Sequence, residues 1–163
     1  LKATIEGQKE SYIALNEVVI HSGAIAQLID FDLSIDNRFV YRQKADGLIV
    51  NSPSGSTAYS LSGGGPIVHP NLDAITLLPM FPHRLNTSPL VVSGRSKITI
   101  KMIEKKNKSV LSMDSHNSLK LRQGDVVTIS KGKSSLILIH PRGHDFYEAC
   151  RNKLGWSSSL PNI

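Results

Sequence analysis

The chain has 163 residues, 40% of them hydrophobic and 20% charged, with a formal net charge of +6. That length suits one domain, and that apolar content supports a packed core and excludes a disordered chain. No apolar run approaches the ~18 residues that a membrane-spanning helix needs, so no membrane partner is expected.

In chain order, the first ten residues (LKATIEGQKE) hold no apolar signal core, so no secretory signal is expected. A start at Leu1 rather than Met reads as a fragment or a processed piece. The segment 12–21 (YIALNEVVIH) is apolar and β-branched and reads as one strand, interrupted by the polar pair Asn16-Glu17. Burying such a pair alone costs free energy. Either both groups sit in water at a strand end, or they face the hydroxyls of a ligand, where Glu17 accepts and Asn16 donates and accepts. The stretch 31–36 (FDLSID) alternates, Asp36-Asn37 signals a turn, and 38–43 (RFVYRQ) alternates again, which predicts a hairpin. Lys44 and Asp46 precede a short buried strand at 47–50 (GLIV). Asp46 before Gly47 fits a plain turn or a group that reads a ribose, an amide or an amino group.

The next stretch, 51–66 (NSPSGSTAYSLSGGGP), surrounds one tyrosine with small hydroxyls and glycines. A strand that runs through such a loop into a helix start at Thr57–Ser62 leaves backbone N–H groups without partners, and these with the helix dipole make an anion seat. Tyr59 adds a flat face for stacking. A tight structural turn whose hydroxyls cap the helix is the other reading. The stretch 79–83 (PMFPH) reads as a rigid apolar connection. Strands follow at 98–103, 109–113, 125–130 and 135–140, with turns at Gly124-Asp125 and Gly132-Lys133. Asp114, Ser115 and His116 end the strand 109–113 and add polar groups where the sheet opens. Residues 145–155 (DFYEACRNKLG) predict a helix capped by Asp145 and ended by Gly155. The single cysteine, Cys150, falls on that helix as a packed, inert thiol. It rules out an internal disulfide, and a reducing compartment fits. Many short strands with turn signals give a mainly β fold, a distorted β-sandwich with one or two small helices.

Several chemistries are excluded. Gly132-Lys133-Ser134 lacks the first glycine of a P-loop, since position 127 is Val, and there is no G-x-G-x-x-G or G-x-S-x-G. The six histidines are scattered without H-E-x-x-H, so no structural zinc is expected. Residues 95–133 carry ten Lys or Arg against Glu104, Asp114 and Asp125, a balance that favours anionic partners. The same stretch has no Phe, Tyr or Trp to interleave with the charges, which argues against single-stranded nucleic acid as partner. The lysines at 105, 106 and 108 read as a solvated hairpin tip.

Four pieces in order carry a resemblance: ALNEVV at 14–19, DGLIVNSPSGSTAYSLSGGGPIVHP at 46–70, PMFPH at 79–83 and KLGW at 153–156. Together they resemble the C-terminal part of an NAD kinase of the bacterial type, over essentially 12–156. The block D-G-L-x-x-x-[ST]-P-[ST]-G-[ST]-T-A-Y is its most specific element. The resemblance implies an enzyme that phosphorylates the 2′-hydroxyl of the adenosine ribose of NAD, with ATP or polyphosphate as donor and magnesium or another divalent metal, to give NADP. It implies a cytoplasmic homodimer or homotetramer assembled through this β domain. By the same likeness Asn16 and Glu17 meet the ribose and adenosine, and Asp46 meets the nicotinamide amide or the adenine. Thr57, Ala58, Tyr59, Ser60, Leu61 and Ser62 hold the dinucleotide. Lys44 meets phosphates or ribose, and Gln27 and His116 give further polar contacts. These residues lack the family's G-G-D-G-T motif, whose aspartate is the implied base, and the α/β domain that bears it. The whole of 1–163 therefore reads as the NAD-binding part, inactive alone. Lipid kinases share the broad architecture but lack the Asn-Glu plus T-A-Y combination. A sensor of NAD or NADP without catalysis stays open.

Overall fold

The computed structural model describes residues 1–24, 27–83, 87–103 and 109–156. Two six-stranded antiparallel sheets carry the fold. Twelve strands run in chain order: β1 (Lys2–Ile5), β2 (Ser11–Ile13), β3 (Glu17–His21), β4 (Ile29–Ile35), β5 (Arg38–Ala45), β6 (Gly47–Asn51), β7 (Ala74–Met80), β8 (Leu90–Ser93), β9 (Ile98–Met102), β10 (Ser109–Met113), β11 (Asn117–Leu121) and β12 (Val126–Ser130). The first sheet has the order β2-β1-β12-β9-β4-β5 and the second β11-β10-β3-β6-β7-β8. A 3₁₀ turn (Ser54–Thr57) and a four-residue helix α1 (Tyr59–Ser62) follow β6, and α2 (Phe146–Leu154) lies near the C-terminal end.

The inner faces of the two sheets meet in one core. Phe31, Leu33, Ile98, Ile100 and Ile129 of the first sheet pack with Val18, Ile20, Leu48, Val50, Leu77 and Leu111 of the second. Alternation explains this. In β4, Ile29, Phe31 and Leu33 are buried and Asp30 and Asp32 are not, because successive side chains of a strand point to opposite faces. In β6 every residue is buried, since both faces of that strand are covered. Val19, Ile49 and Leu78 form a small apolar patch on the outer face of the second sheet.

The predicted hairpin forms as β4–β5, with Asp36 and Asn37 at φ 50° and 63° in its turn, the left-handed conformation that Asp and Asn tolerate best after Gly. Helix α2 also forms as predicted. The Asp145 carboxylate accepts the N–H of Tyr147 and of Glu148, and Gly155 closes the helix at φ 62°. Cys150 is buried, as a packed thiol requires.

Four expectations are corrected. The segment 12–21 is two strands, not one: β2 edges the first sheet and β3 lies inside the second, and the break at 14–16 is where the chain changes sheets. The segment 135–140 forms no strand. Leu136, Ile137, Leu138 and Ile139 are exposed there, and a run of high β propensity pairs only where an edge is offered. Pro79-Met80 is not a connection but the end of β7. Pro79 is tolerated because β8 pairs with Ala74 to Leu77, so no strand among the described residues needs a donor at 79 on that side. Phe81, just after it, is 79% exposed rather than packed. The helix start read at 57–62 is broken at Ala58, whose ψ of −132° separates the 3₁₀ turn from α1. The lysine tip 105–108 lies outside the described residues.

Candidate nucleotide site

The site is built on the outer face of the second sheet, at the ends of β3 and β6. Asp46 marks the point where the chain leaves β5 of one sheet and enters β6 of the other. Its backbone is held on both sides: its N–H donates to the Met80 carbonyl at 2.9 Å and its carbonyl accepts the Ser22 N–H at 3.3 Å. A Cβ on Gly47 would lie 2.5 Å from the Ile20 carbonyl oxygen, so the residue after Asp46 must be glycine for β3 and β6 to pair at this register.

The Gly/Ser loop folds back onto the start of β3. Ser52 N–H donates to the Asn16 carbonyl at 2.8 Å, and the Ser52 hydroxyl donates to the Leu15 carbonyl at 2.6 Å. Gly55 lies so close that a Cβ there would run into the Asn16 carbonyl. The hydroxyl of Ser56 donates to the Pro53 carbonyl at 2.6 Å and accepts the Val68 N–H at 3.0 Å. Several hydroxyls of the motif therefore hold the loop to itself and to β3, which places α1 over the outer face of the sheet.

From the other side Asp114 fixes the same strand. Its carboxylate accepts three consecutive backbone N–H groups, from Leu15 at 2.6 Å, Asn16 at 2.8 Å and Glu17 at 3.0 Å. A carboxylate in such a fork of amides is strongly held. Asp114 and Ser115 both have positive φ, 46° and 58°, so the turn after β10 is shaped to deliver that carboxylate.

Asp46 and Tyr59 line one open cleft of about 480 Å³, with His21, Ser22, Ser112 and Ser115. Tyr59 is 45% exposed and lines it with its ring side chain. Glu17, Val19 and His21 alternate along β3, so Glu17 faces the same side as the two that line the cleft. Glu17 is only 4% exposed, and its carboxyl is pushed above the usual range by burial and by the Asp114 charge. Burial holds the His21 imidazole below its ordinary value. Its Nδ1 accepts the Gly23 N–H at 3.0 Å, which leaves the neutral ring's proton on Nε2.

The remaining candidates fall into place differently. Asn16 is half-buried beside Glu17. Ser60 is fully buried, Ala58 and Leu61 are half-buried and Ser62 is exposed. Thr57 points to a different hollow of about 880 Å³, between the loop, His69 and α2. Lys44 lies in a third, of about 530 Å³, with Asp30 and His83, and its ammonium stands 3.8 Å from the Asp30 carboxylate. Gln27 and His116 are exposed and line none of these hollows. The sequence reading missed His21, Ser22 and Ser112. The period of two along β3 that links Glu17 to His21 was the available signal. Among the described residues, no group of three His, Cys, Asp or Glu could hold a metal ion.

The profile of the ATP-NAD kinase C-terminal domain matches residues 15–141. The NAD kinase of Teredinibacter turnerae is 53% identical over 151 residues, covering 92% of this chain and 52% of its own length. That of Acinetobacter baylyi is 54% identical, covering 93% and 49%. Among solved structures, yeast NADH kinase complexed with NADH matches with a TM-score of 0.86 at 30% identity, over 99% of this chain and 51% of that one. An NAD kinase from Archaeoglobus fulgidus in complex with ATP matches at 0.71 and 32% identity, over 81% and 50%. The chain thus spans about half the length of the curated relatives it matches.

Proposed function

The chain belongs to the ATP-NAD kinase family, and on that premise we propose that it is the part that holds NAD for phosphorylation at the adenosine ribose 2′-hydroxyl. The observation that carries the reading is the cleft that joins Asp46 to Tyr59 beside Val19 and His21 of β3; Asn16 and Glu17 do not line it, and Glu17 shares only its face of the strand. Such a cleft has what a dinucleotide needs: a carboxylate for an exocyclic amine or amide, an aromatic ring, and the hydroxyls of Ser22, Ser112 and Ser115 for polar contacts. The likeness to yeast NADH kinase complexed with NADH supports a nicotinamide dinucleotide as ligand.

The donor in this proposal is ATP or polyphosphate. Among the described residues no set of ligands fits the divalent metal that the resemblance implies. General base catalysis needs a group within hydrogen-bond reach of the ribose hydroxyl, and phosphoryl transfer needs the donor phosphates positioned and neutralised. The 163 residues hold no G-G-D-G-T, so NADP formation by this chain alone is not expected. A cytoplasmic homodimer or homotetramer is part of the same proposal. Among the described residues, no helix is long and apolar enough to cross a membrane.

The test is direct. Asp46→Ala and Tyr59→Ala are each expected to raise the Kd for NAD about tenfold, ~1.4 kcal/mol, with the melting temperature nearly unchanged, since both side chains reach solvent. Unchanged affinity in both would remove this cleft as the site. Joined to a G-G-D-G-T domain, the chain is expected to form NADP from NAD and ATP. Binding without turnover in that joined form would favour a sensor over a kinase.

A further inference from the structure

Among the described residues, the buried oxygens Glu17 Oε2 and Asn51 Oδ1 on the outer face of the second sheet have no hydrogen-bond donor. Glu17 and Asn51 are direct partners across β3 and β6. Directly opposite residues of an antiparallel pair share a face, with Cβ atoms ~5 Å apart. Glu17 is 4% exposed and Asn51 0%, so bulk water does not satisfy these oxygens.

Reversing the Asn51 amide does not resolve the conflict. Its Nδ2 donates to the Ser52 carbonyl at 3.0 Å, and the reversed amide would set Oδ1 against that carbonyl. Two acceptors without donors, on directly opposed residues in a dry site, are costly. One proton between them turns the pair into a donor and an acceptor, and the Glu17 carboxyl is the member that can take it.

The surrounding charges agree. Across the other side of β3 stands the Asp114 carboxylate, whose field opposes ionisation of Glu17. His21, on the same face of β3, is pushed toward its neutral form by burial. His116 is exposed beyond Asp114, and the Leu1 amino group is bound to the Ala14 carbonyl on the Asp114 side. β6, β7 and the 3₁₀ turn contribute Asn51, Thr76 and Ser56, all buried and uncharged. Among the described residues no Lys or Arg pairs with Glu17.

We infer that Glu17 is a neutral carboxylic acid in the ligand-free protein, that its O–H donates to Asn51 Oδ1, and that Asn51 is thereby a positioning residue for the Glu17 carboxyl. The next step rests on the dinucleotide reading above. When ribose hydroxyls enter, they donate to the carboxylate oxygens, the Glu17 O–H bond breaks, and its proton leaves to water. Raising the pH removes the cost of that deprotonation. Affinity for NAD therefore rises with pH up to the Glu17 pKa of the free protein and is level above it.

Carbon-13 spectroscopy of the complete chain, labelled at glutamate carboxyl carbons, tests this at a pH where exposed glutamates are ionised. The expected result is a protonated carboxyl signal that is absent from Glu17→Gln. It moves toward the ionised position in Asn51→Ala, and is lost when NAD is added. Calorimetry in buffers of different ionisation heat then reads the released proton. Asn51→Val, which fills similar space, replaces Asn51→Ala should that variant fail to fold. An ionised Glu17 in the free protein overturns the inference whatever NAD does. So does a signal that neither Asn51 variant moves. A protonated signal that responds to Asn51, in a protein that does not bind NAD, keeps the Glu17–Asn51 bond and removes the dinucleotide reading instead.

Discussion

Gly55→Ala is expected to destabilise the protein by about 3 kcal/mol and to weaken NAD binding at least tenfold, ~1.4 kcal/mol. The added Cβ would meet the carbonyl oxygen, carbonyl carbon and Cα of Asn16. These are backbone atoms, and they cannot turn aside as a flexible side chain does. Asn16 is itself held by Ser52 above and Asp114 below, so the loop must move instead. Moving it lifts α1 and Tyr59 away from the cleft. Thermal melting and an NAD titration read both effects. Gly132→Ala is the control, because its Cβ would meet nothing nearer than 3.9 Å. A G55A protein that melts and binds like its parent would mean that the glycine is not there to let the loop approach β3.

The second large effect is expected at Asp114. Asp114→Ala removes the acceptor of three backbone N–H groups and leaves alanine in a left-handed turn. A loss of about 3 kcal/mol follows from hydrogen bonds to a charged group. Asp114→Asn keeps the turn and one acceptor oxygen and is expected to fall between parent and D114A. Since Asn16 and Glu17 hang from this carboxylate, NAD affinity should fall in the same order. Chemical denaturation and NAD titration of the two variants check the ranking. Equal affinity in all three proteins would separate Asp114 from the site.

The two effects show why part of this protein was legible in its sequence and part was not. Alternation in 29–35 and 98–102 reports a half-buried strand directly, because one face of each packs on the core. Asp145 and Gly155 announce α2 because capping is local chemistry. The switch of sheets at 14–16 is a tertiary event, and periodicity over 12–21 cannot reveal it. The apolar run 135–140 reads as a strand by composition, yet among the described residues no strand pairs with it. β7 was hidden by Pro79, which is allowed because the pairing of β7 with β8 ends at Leu77.

The candidate site divides in the same way. The motif 46–59 is legible because close backbone approach at Gly47 and Gly55 leaves a fixed pattern of residues. Asp46 and Tyr59 share a cleft, whereas Lys44 and Thr57, only a few residues away, face other hollows. Lys44 lies on the edge strand of the opposite sheet, and Thr57 lies on the far side of the 3₁₀ turn. Which way a loop turns its two sides is decided by what it packs on, and that is not written in the loop itself.

The central claim is that a nicotinamide dinucleotide occupies the outer-face cleft between Asp46 and Tyr59. The measurement that tests it most directly is amide chemical-shift mapping of the isotopically labelled protein during titration with NAD. Shifts are expected at Asn16-Glu17, Ser22, Asp46 and Gly55–Ser62 that saturate together. Shifts confined to Lys44 and His83, or to His69 and α2, would place the ligand in another hollow and contradict it.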